Sequence, residues 1–306
     1  MSQEQVLKSD HTHVALSFRQ QLEMIHNLTK MPLVYFVVLS GVAGFGYGFP
    51  QGNSFHVAQF SFTIFGLMLL SMGSFALNQI QEVPMDLKMP RTQKRPLPLG
   101  VISMQKALTL SLSFLLIGLY LLYIVSPLAA LIGLVTAVFY NVIYTYILKP
   151  NWAFAAVPGA IPGALPAITA FVAAGGFVFS MESLYLFSLI FLWQMPHYWS
   201  LAIRYKEDYA QGGVPVLPVT HGNQMTLLYM LKYYLAYVFL VMLSPVFVHI
   251  DLVFLGIIVP VFALVTYHFY NFYKIQTPQT WRPFFHWINH SLLIFVAIPV
   301  IDKWLF

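Results

Sequence analysis

The sequence predicts an all-α integral membrane protein, and three observations carry that prediction. Apolar runs of about 20 residues recur along the chain, the length a helix needs to cross the hydrocarbon core of a bilayer. Only 8% of the 306 residues are charged against 59% hydrophobic, and the mean hydropathy is +0.73. A soluble domain carries roughly 25% charged residues, so this surface could not be solvated by water alone. The third observation is that Lys and Arg gather on one side of the spans described below. A closed barrel would also satisfy its backbone in lipid, but it needs short alternating segments rather than long continuous runs. The chain has no cysteine, which excludes disulfides, thiolate metal ligands and a cysteine nucleophile.

The elements follow in order. Val14, Phe18, Leu22, Ile25 and Leu28 recur at spacings of three and four, which predicts an amphipathic helix over 14–29 lying in the membrane interface. Nine spans come next, near 31–50, 57–79, 104–125, 127–148, 152–175, 181–203, 225–247, 251–273 and 285–304. The Ser126-Pro127 break separates the third from the fourth, and Lys149-Pro150-Asn151 the fourth from the fifth. The fifth, AVPGAIPGALPAITAFVAAGG, sets Pro158, Pro162 and Pro166 among small residues. Proline removes a helix hydrogen bond and small residues admit close neighbours, so a kinked, tightly packed helix is expected. No apolar core with a small-residue cleavage site opens the chain, so no signal peptide is expected. No linker or low-complexity tract divides it. The expected organisation is an N-terminal cytoplasmic segment, 1–30, and a single membrane domain, 31–306.

With nine spans, 14 of the 15 Lys and Arg residues fall on the side of the N-terminus, and only Lys303 on the other. Basic residues accumulate on the cytoplasmic side. The N-terminus is therefore expected in the cytoplasm and the C-terminus opposite. The net charge of +5 reflects this topology, and no nucleic-acid partner is expected.

Two polar clusters lie on the crowded side. The first is NQIQEVPMDLKMPRTQKRPLPLG, residues 78–100. Asn78, Glu82 and Asp86 recur at i, i+4, i+8, one face of a helix. Their oxygens suit Mg²⁺, which binds through one or two carboxylates plus substrate phosphates. Arg91, Lys94 and Arg95 follow, and such bases suit phosphate oxygens. Pro84 is expected to kink or end the helix. The plainer reading makes the bases topology anchors. The second cluster is MPHYWSLAIRYKEDYAQGGVPVLPV, residues 195–219. There His197, Arg204 and Asp208, spaced by seven and four, would stack on one helix face. A lone membrane histidine is also often a packing residue. A third stretch, YNVIYTYILKP, brings Tyr140, Tyr144 and Lys149 to the end of span four, where interface tyrosines and an anchoring lysine are common.

The first cluster resembles the Asn-x-x-x-Asp-x-x-x-Asp element of the UbiA superfamily of intramembrane prenyltransferases. Asp86 with LKMPRTQKRPLPLG, YTYILKP at 144–150, PHYW at 196–199 and DYAQGGVPVLPV at 208–219 are similar to the branch that farnesylates heme B. The resemblance spans roughly residues 20–300. Glu82 stands where the family usually has Asp, Pro84 where many members carry a further Asp, and Val216 where Met is common. Glu207-Asp208 replaces a full second acidic motif.

The resemblance implies a UbiA-type bundle and transfer of a farnesyl group from farnesyl diphosphate to a vinyl group of heme B, with addition of water to give heme O. It implies Mg²⁺ held by Asn78, Glu82, Asp86 and Asp208. Arg91, Lys94, Arg95, Lys149, Arg204 and Lys206 would grip the diphosphate, with Tyr144 also at the substrate and His197 facing the heme. It further implies a bacterial inner membrane and, as partners, downstream heme-handling or terminal oxidase assembly proteins. Other readings are the same chemistry on another aromatic acceptor, a transporter using span five as a broken helix, and a non-catalytic heme or isoprenoid carrier.

Overall fold

In a computed structural model of the chain, which describes residues 17–248 and 252–305, every regular element among the described residues is helical. The first, α1 (Phe18–Leu28), opens on a capping box. The Ser17 hydroxyl accepts from the Gln20 amide at 3.4 Å, and the Gln20 side chain accepts from the Ser17 amide at 2.9 Å. Phe18 and Leu22 are 75% and 52% exposed, whereas Leu28 is buried. An apolar face turned away from the bundle suits a helix lying on lipid. Val14 of the expected interfacial helix lies outside the described residues.

The spans are α2 (Met31–Gly48), α3 (Val57–Asp86), α4 (Met104–Val125), α5 (Pro127–Val138, continued as a π-helix Phe139–Leu148), α6 (Ala156–Ala173) and α7 (Met181–Arg204). Two short helices, α8 (Lys206–Gln211) and α9 (Leu217–Thr220), lead to α10 (Gly222–Met242). The short α11 (Ser244–Phe247) then precedes α12 (Leu252–Lys274) and α13 (Pro278–Leu305). Among the described residues, eight helices are long and apolar enough to cross a membrane. The ninth long helix, α7, has 24 residues, but Gln194, Pro196 and His197 dilute its apolar character. The chain is an all-helical integral membrane protein of about nine spans.

Several boundaries differ from the sequence expectation for local reasons. α3 runs to Asp86 rather than 79, because Pro84 falls in its last turn, where one lost hydrogen bond matters least. α13 begins at Pro278 rather than 285, with proline in the first turn where its missing N–H is no loss. α6 stays one helix through Pro162 and Pro166, and Gln194 Nε2 donates to the Ala160 carbonyl at 3.0 Å. The π-helix closing span four had no signal in the hydropathy pattern.

Close backbone contact holds the bundle together. A Cβ at Gly44 or Gly48 of α2 would stand 2.1 Å from the carbonyl oxygens of Ala167 or Phe171 in α6. Ser111 of α4 donates to the Gly73 carbonyl of α3 at 2.8 Å. α6 lies deepest, with 67% of its most apolar stretch buried. At the far end of α2, Lys303 Nζ donates to the carbonyls of Tyr47 and Phe49 at 2.6 and 2.8 Å, satisfying the helix terminus. Lys30 sits at the opposite end of the same helix.

Candidate active site

Asn78, Glu82 and Asp86 share one face of α3 and are 1%, 5% and 0% exposed. Asn78 Nδ2 donates to Glu82 Oε1 at 2.9 Å and to Thr145 Oγ1 of the π-helix at 3.0 Å. Three bases converge on this stripe. Arg95 Nη1 donates to both Asp86 oxygens at 2.8 and 2.7 Å and stands 3.8 Å from Glu82 Oε2. Lys149 Nζ donates to Glu82 Oε1. Lys30 Nζ donates to Asn78 Oδ1 and lies 4.0 Å from Glu82 Oε2.

Glu82 favours the charged form of both lysines, yet their net shifts are opposite. Burial pulls the Lys30 ammonium down to about 7, with Glu82 only partly restoring it. Burial also opposes charge on Lys149, but direct contact with Glu82 overrides it and holds that ammonium above its ordinary value.

The second cluster is not a single stripe. α7 ends at Arg204, Tyr205 turns away with φ −111° and ψ 29°, and Asp208 lies on the separate α8. The continuous helix expected from the spacing of His197, Arg204 and Asp208 is thus broken, because the backbone at Tyr205 leaves helical geometry. The break brings the clusters together: Asp208 Oδ2 stands 3.7 Å from Arg91 Nε. The Arg91 and Arg204 guanidinium groups lie 5.1 and 5.6 Å from the Tyr205 ring centroid. Lys94 is exposed and Lys206 half-buried, and neither forms an ion pair among the described residues.

Among the described residues, no three His, Cys, Asp or Glu side chains converge to hold a metal. Two buried carboxylates beside an amide oxygen nonetheless fit a hard divalent cation that brings phosphate oxygens with it.

Beside the stripe opens an apolar cavity of about 470 Å³, bounded by Tyr140 and Tyr144 and reaching Trp193, His197 and Phe285. Such a volume suits a small-molecule site, roughly 300–1,000 Å³. Tyr198 lies beside Tyr144 and Tyr209. The His197 ring packs between Trp193 and Phe285, with centroids 4.6 and 4.9 Å away. Its Nδ1 is buried, with the Asn289 side chain beside it. A second cavity of about 360 Å³ shares Phe36, Val37, Gly163, Trp193 and Gln194 with the first.

Of the residues singled out by sequence, the structure therefore joins Asn78, Glu82, Asp86, Arg95 and Lys149 in one cluster, with Arg91 and Asp208 paired nearby. Tyr144 and His197 line the cavity, and Arg204, Lys94 and Lys206 stay at the periphery. Sequence reading missed Lys30, counted only as a basic flank, along with Thr145 and Tyr198. The available signal for Lys30 was a lone base directly before the Met31-Pro32 start of a span.

Comparison with known proteins agrees with this architecture. Residues 37–293 match the UbiA prenyltransferase family, and the chain belongs to that family. It is 47% identical over 285 residues to a protoheme IX farnesyltransferase of Bdellovibrio bacteriovorus, covering 93% of this chain and 98% of the relative. It is 33% identical over 282 residues to the protein of that name in Nitrosomonas europaea, covering 92% and 94%. In fold it is similar to a digeranylgeranylglyceryl phosphate synthase, with a TM-score of 0.73, 18% identity and coverage of 92% and 99%. It is also similar to a UbiA homologue from Archaeoglobus fulgidus bound to DMAPP and Mg²⁺, with a TM-score of 0.64, 19% identity and coverage of 90% and 99%.

Proposed function

We propose that this chain is a heme-farnesylating enzyme that converts heme B and farnesyl diphosphate to heme O. The observation that carries the reading is the juxtaposition of a buried acid–base cluster with an apolar cavity whose wall holds a buried histidine packed among aromatic rings. The near-full-length likeness to protoheme IX farnesyltransferases supports the same acceptor.

The diphosphate lies against Arg95, Lys149 and Arg91, whose charges stabilise it as it departs. Asn78, Glu82 and Asp86 would hold a divalent cation, read as Mg²⁺, with Asp208 at the rim. The cation, when bound, supplies neutralising charge to the leaving diphosphate. The farnesyl C1–O bond breaks with its electron pair going to the diphosphate. The heme vinyl carbon then bonds to C1, and water captures the resulting carbocation beside the porphyrin and releases a proton. The apolar walls keep water from the allylic cation until that bond has formed. Tyr144 positions the substrate where cluster meets cavity, and His197 orients the heme. Lys94, Arg204 and Lys206 steer the anionic head group from the rim.

The crowded basic side is read as cytoplasmic, with the protein in a bacterial inner membrane and the heme passed on to downstream heme-handling or oxidase assembly proteins. Residues 1–30 form the cytoplasmic segment and 31–306 the catalytic domain.

The test is incubation of the purified chain with heme B, farnesyl diphosphate and Mg²⁺, followed by mass analysis of the heme. Appearance of heme O is the expected result; heme B recovered unchanged would overturn the reading.

A further inference from the structure

Lys30 joins α1 to α2 and is held there from two directions. Among the described residues it is the sole non-glycine with positive φ, at +52°. Residues with a Cβ resist this left-handed backbone, and it persists where the surroundings over-determine it. The surroundings are neighbouring residues of α3. Gln79 Nε2 donates to the carbonyls of Asn27 and Leu28, at 2.7 and 2.9 Å, fixing the end of α1. Asn78 Oδ1 accepts from the Lys30 ammonium itself.

That oxygen is the one the stripe would offer a divalent cation, and an ammonium and a metal ion cannot both occupy it without strong repulsion. Arg95 already engages Asp86 and Lys149 engages Glu82. Two carboxylates thus face three bases, a surplus of positive charge whenever Lys30 is protonated. Such a cluster disfavours a bare divalent cation and favours an anion, above all one that carries its own metal.

We propose that Lys30 is a further diphosphate-gripping residue. Its ammonium shields Asn78 and Glu82 from bare divalent cations and passes to the phosphate oxygens when metal and prenyl diphosphate enter together. The inference rests on the prenyl-transfer reading above but not on the identity of the acceptor. Lys30 is only 15% exposed and touches both Asn78 and Glu82 of the stripe. The joint at the interfacial helix thereby supplies a side chain to the site, which makes the docking of α1 a condition of substrate binding.

The test measures binding without heme. Mn²⁺ alone is titrated by electron paramagnetic resonance, and farnesyl diphosphate with Mg²⁺ by calorimetry, in the full chain and three variants. Lys30→Met removes the charge. Lys30→Gly removes the charge and relaxes the left-handed backbone, so poor folding does not confound it. Lys30→Arg keeps the charge. Met and Gly are expected to bind Mn²⁺ alone about tenfold more tightly and farnesyl diphosphate about tenfold more weakly, with Arg near the parent in both. Unchanged or weaker Mn²⁺ binding in both Met and Gly overturns the proposal, as does unchanged farnesyl diphosphate affinity. If these shifts appear while heme fails to be prenylated, the acceptor reading fails and the role of Lys30 stands.

Discussion

Arg91 and Asp208 stand 3.7 Å apart, and through this pair the loop after α3 meets the short helix after α7. They are 39% and 21% exposed, so the pair adds at most about 1 kcal/mol to stability. Its expected importance is to position both sides of the head-group site. Arg91→Ala and Asp208→Ala should each lower prenyl transfer by at least about tenfold with little change in melting temperature, and the double variant should be no worse than the poorer single one. Fully additive losses in a double-mutant cycle would show that the two residues act separately.

Asp86 is fully buried and both its oxygens accept from Arg95. Asp86→Ala would strand a guanidinium in a mostly buried site, at a cost of roughly 3–5 kcal/mol. Asp86→Asn keeps the shape and one acceptor oxygen. Both variants are expected to lose turnover by at least about 100-fold, but Asn should stay folded in detergent where Ala melts early. Wild-type turnover in Asp86→Asn would remove the carboxylate from the mechanism.

What was legible in the sequence follows from which interactions are periodic. The spans and the Asn78, Glu82, Asp86 stripe repeat at helical spacing within one element, so they could be read directly. Lys30 meets Asn78 from another helix through a left-handed joint, and no local pattern records that pairing. The break at Tyr205 was equally hidden, because a spacing of four fits one continuous helix as well as a long helix followed by a short one. The π-helix that brings Thr145 to Asn78 depends on i→i+5 bonding, which leaves the hydropathy of the segment unchanged.

Gly44 illustrates a packing constraint with no chemistry attached. Its missing Cβ leaves room for the Ala167 carbonyl, 2.1 Å from where that atom would sit. Gly44→Val should destabilise the protein by about 1–3 kcal/mol or more, because α2 must move off α6. Gly256 of α12 has nothing within 4 Å of such a Cβ. Gly256→Ala should therefore be neutral or stabilising by about 0.5–1 kcal/mol. Thermal unfolding in detergent compares the two directly, and equal shifts would contradict the close contact.

The absence of cysteine makes sidedness simple to measure. Gln93, exposed after α3, and Phe179, 73% exposed between α6 and α7, fall on opposite ends of the bundle in the nine-span topology. Gln93→Cys should react with a membrane-impermeant maleimide only from the cytoplasmic face, and Phe179→Cys only from the other. Labelling of both from one side would refute the topology.

His197 separates two readings of the cavity. Its ring is clamped between Trp193 and Phe285, and Trp193 is itself fixed by donating from Nε1 to the Ile288 carbonyl at 2.8 Å. The ring faces a cavity lined mostly by aromatic and apolar side chains, with Asn289 beside its Nδ1. A flat, mostly apolar macrocycle with a central metal suits both features, because the rings give stacking area and a neutral imidazole is a common ligand of heme iron. His197→Ala should therefore weaken heme binding at least about tenfold while leaving farnesyl diphosphate affinity nearly intact, since the head-group cluster draws its charges from Arg95, Lys149 and Lys30 instead. His197→Phe keeps the stacking area and removes the nitrogens. Heme loss in both variants assigns the role to the imidazole nitrogens; heme loss in Ala with recovery in Phe assigns it to the aromatic wall. Lower thermal stability with both affinities reduced together would return His197 to a packing residue.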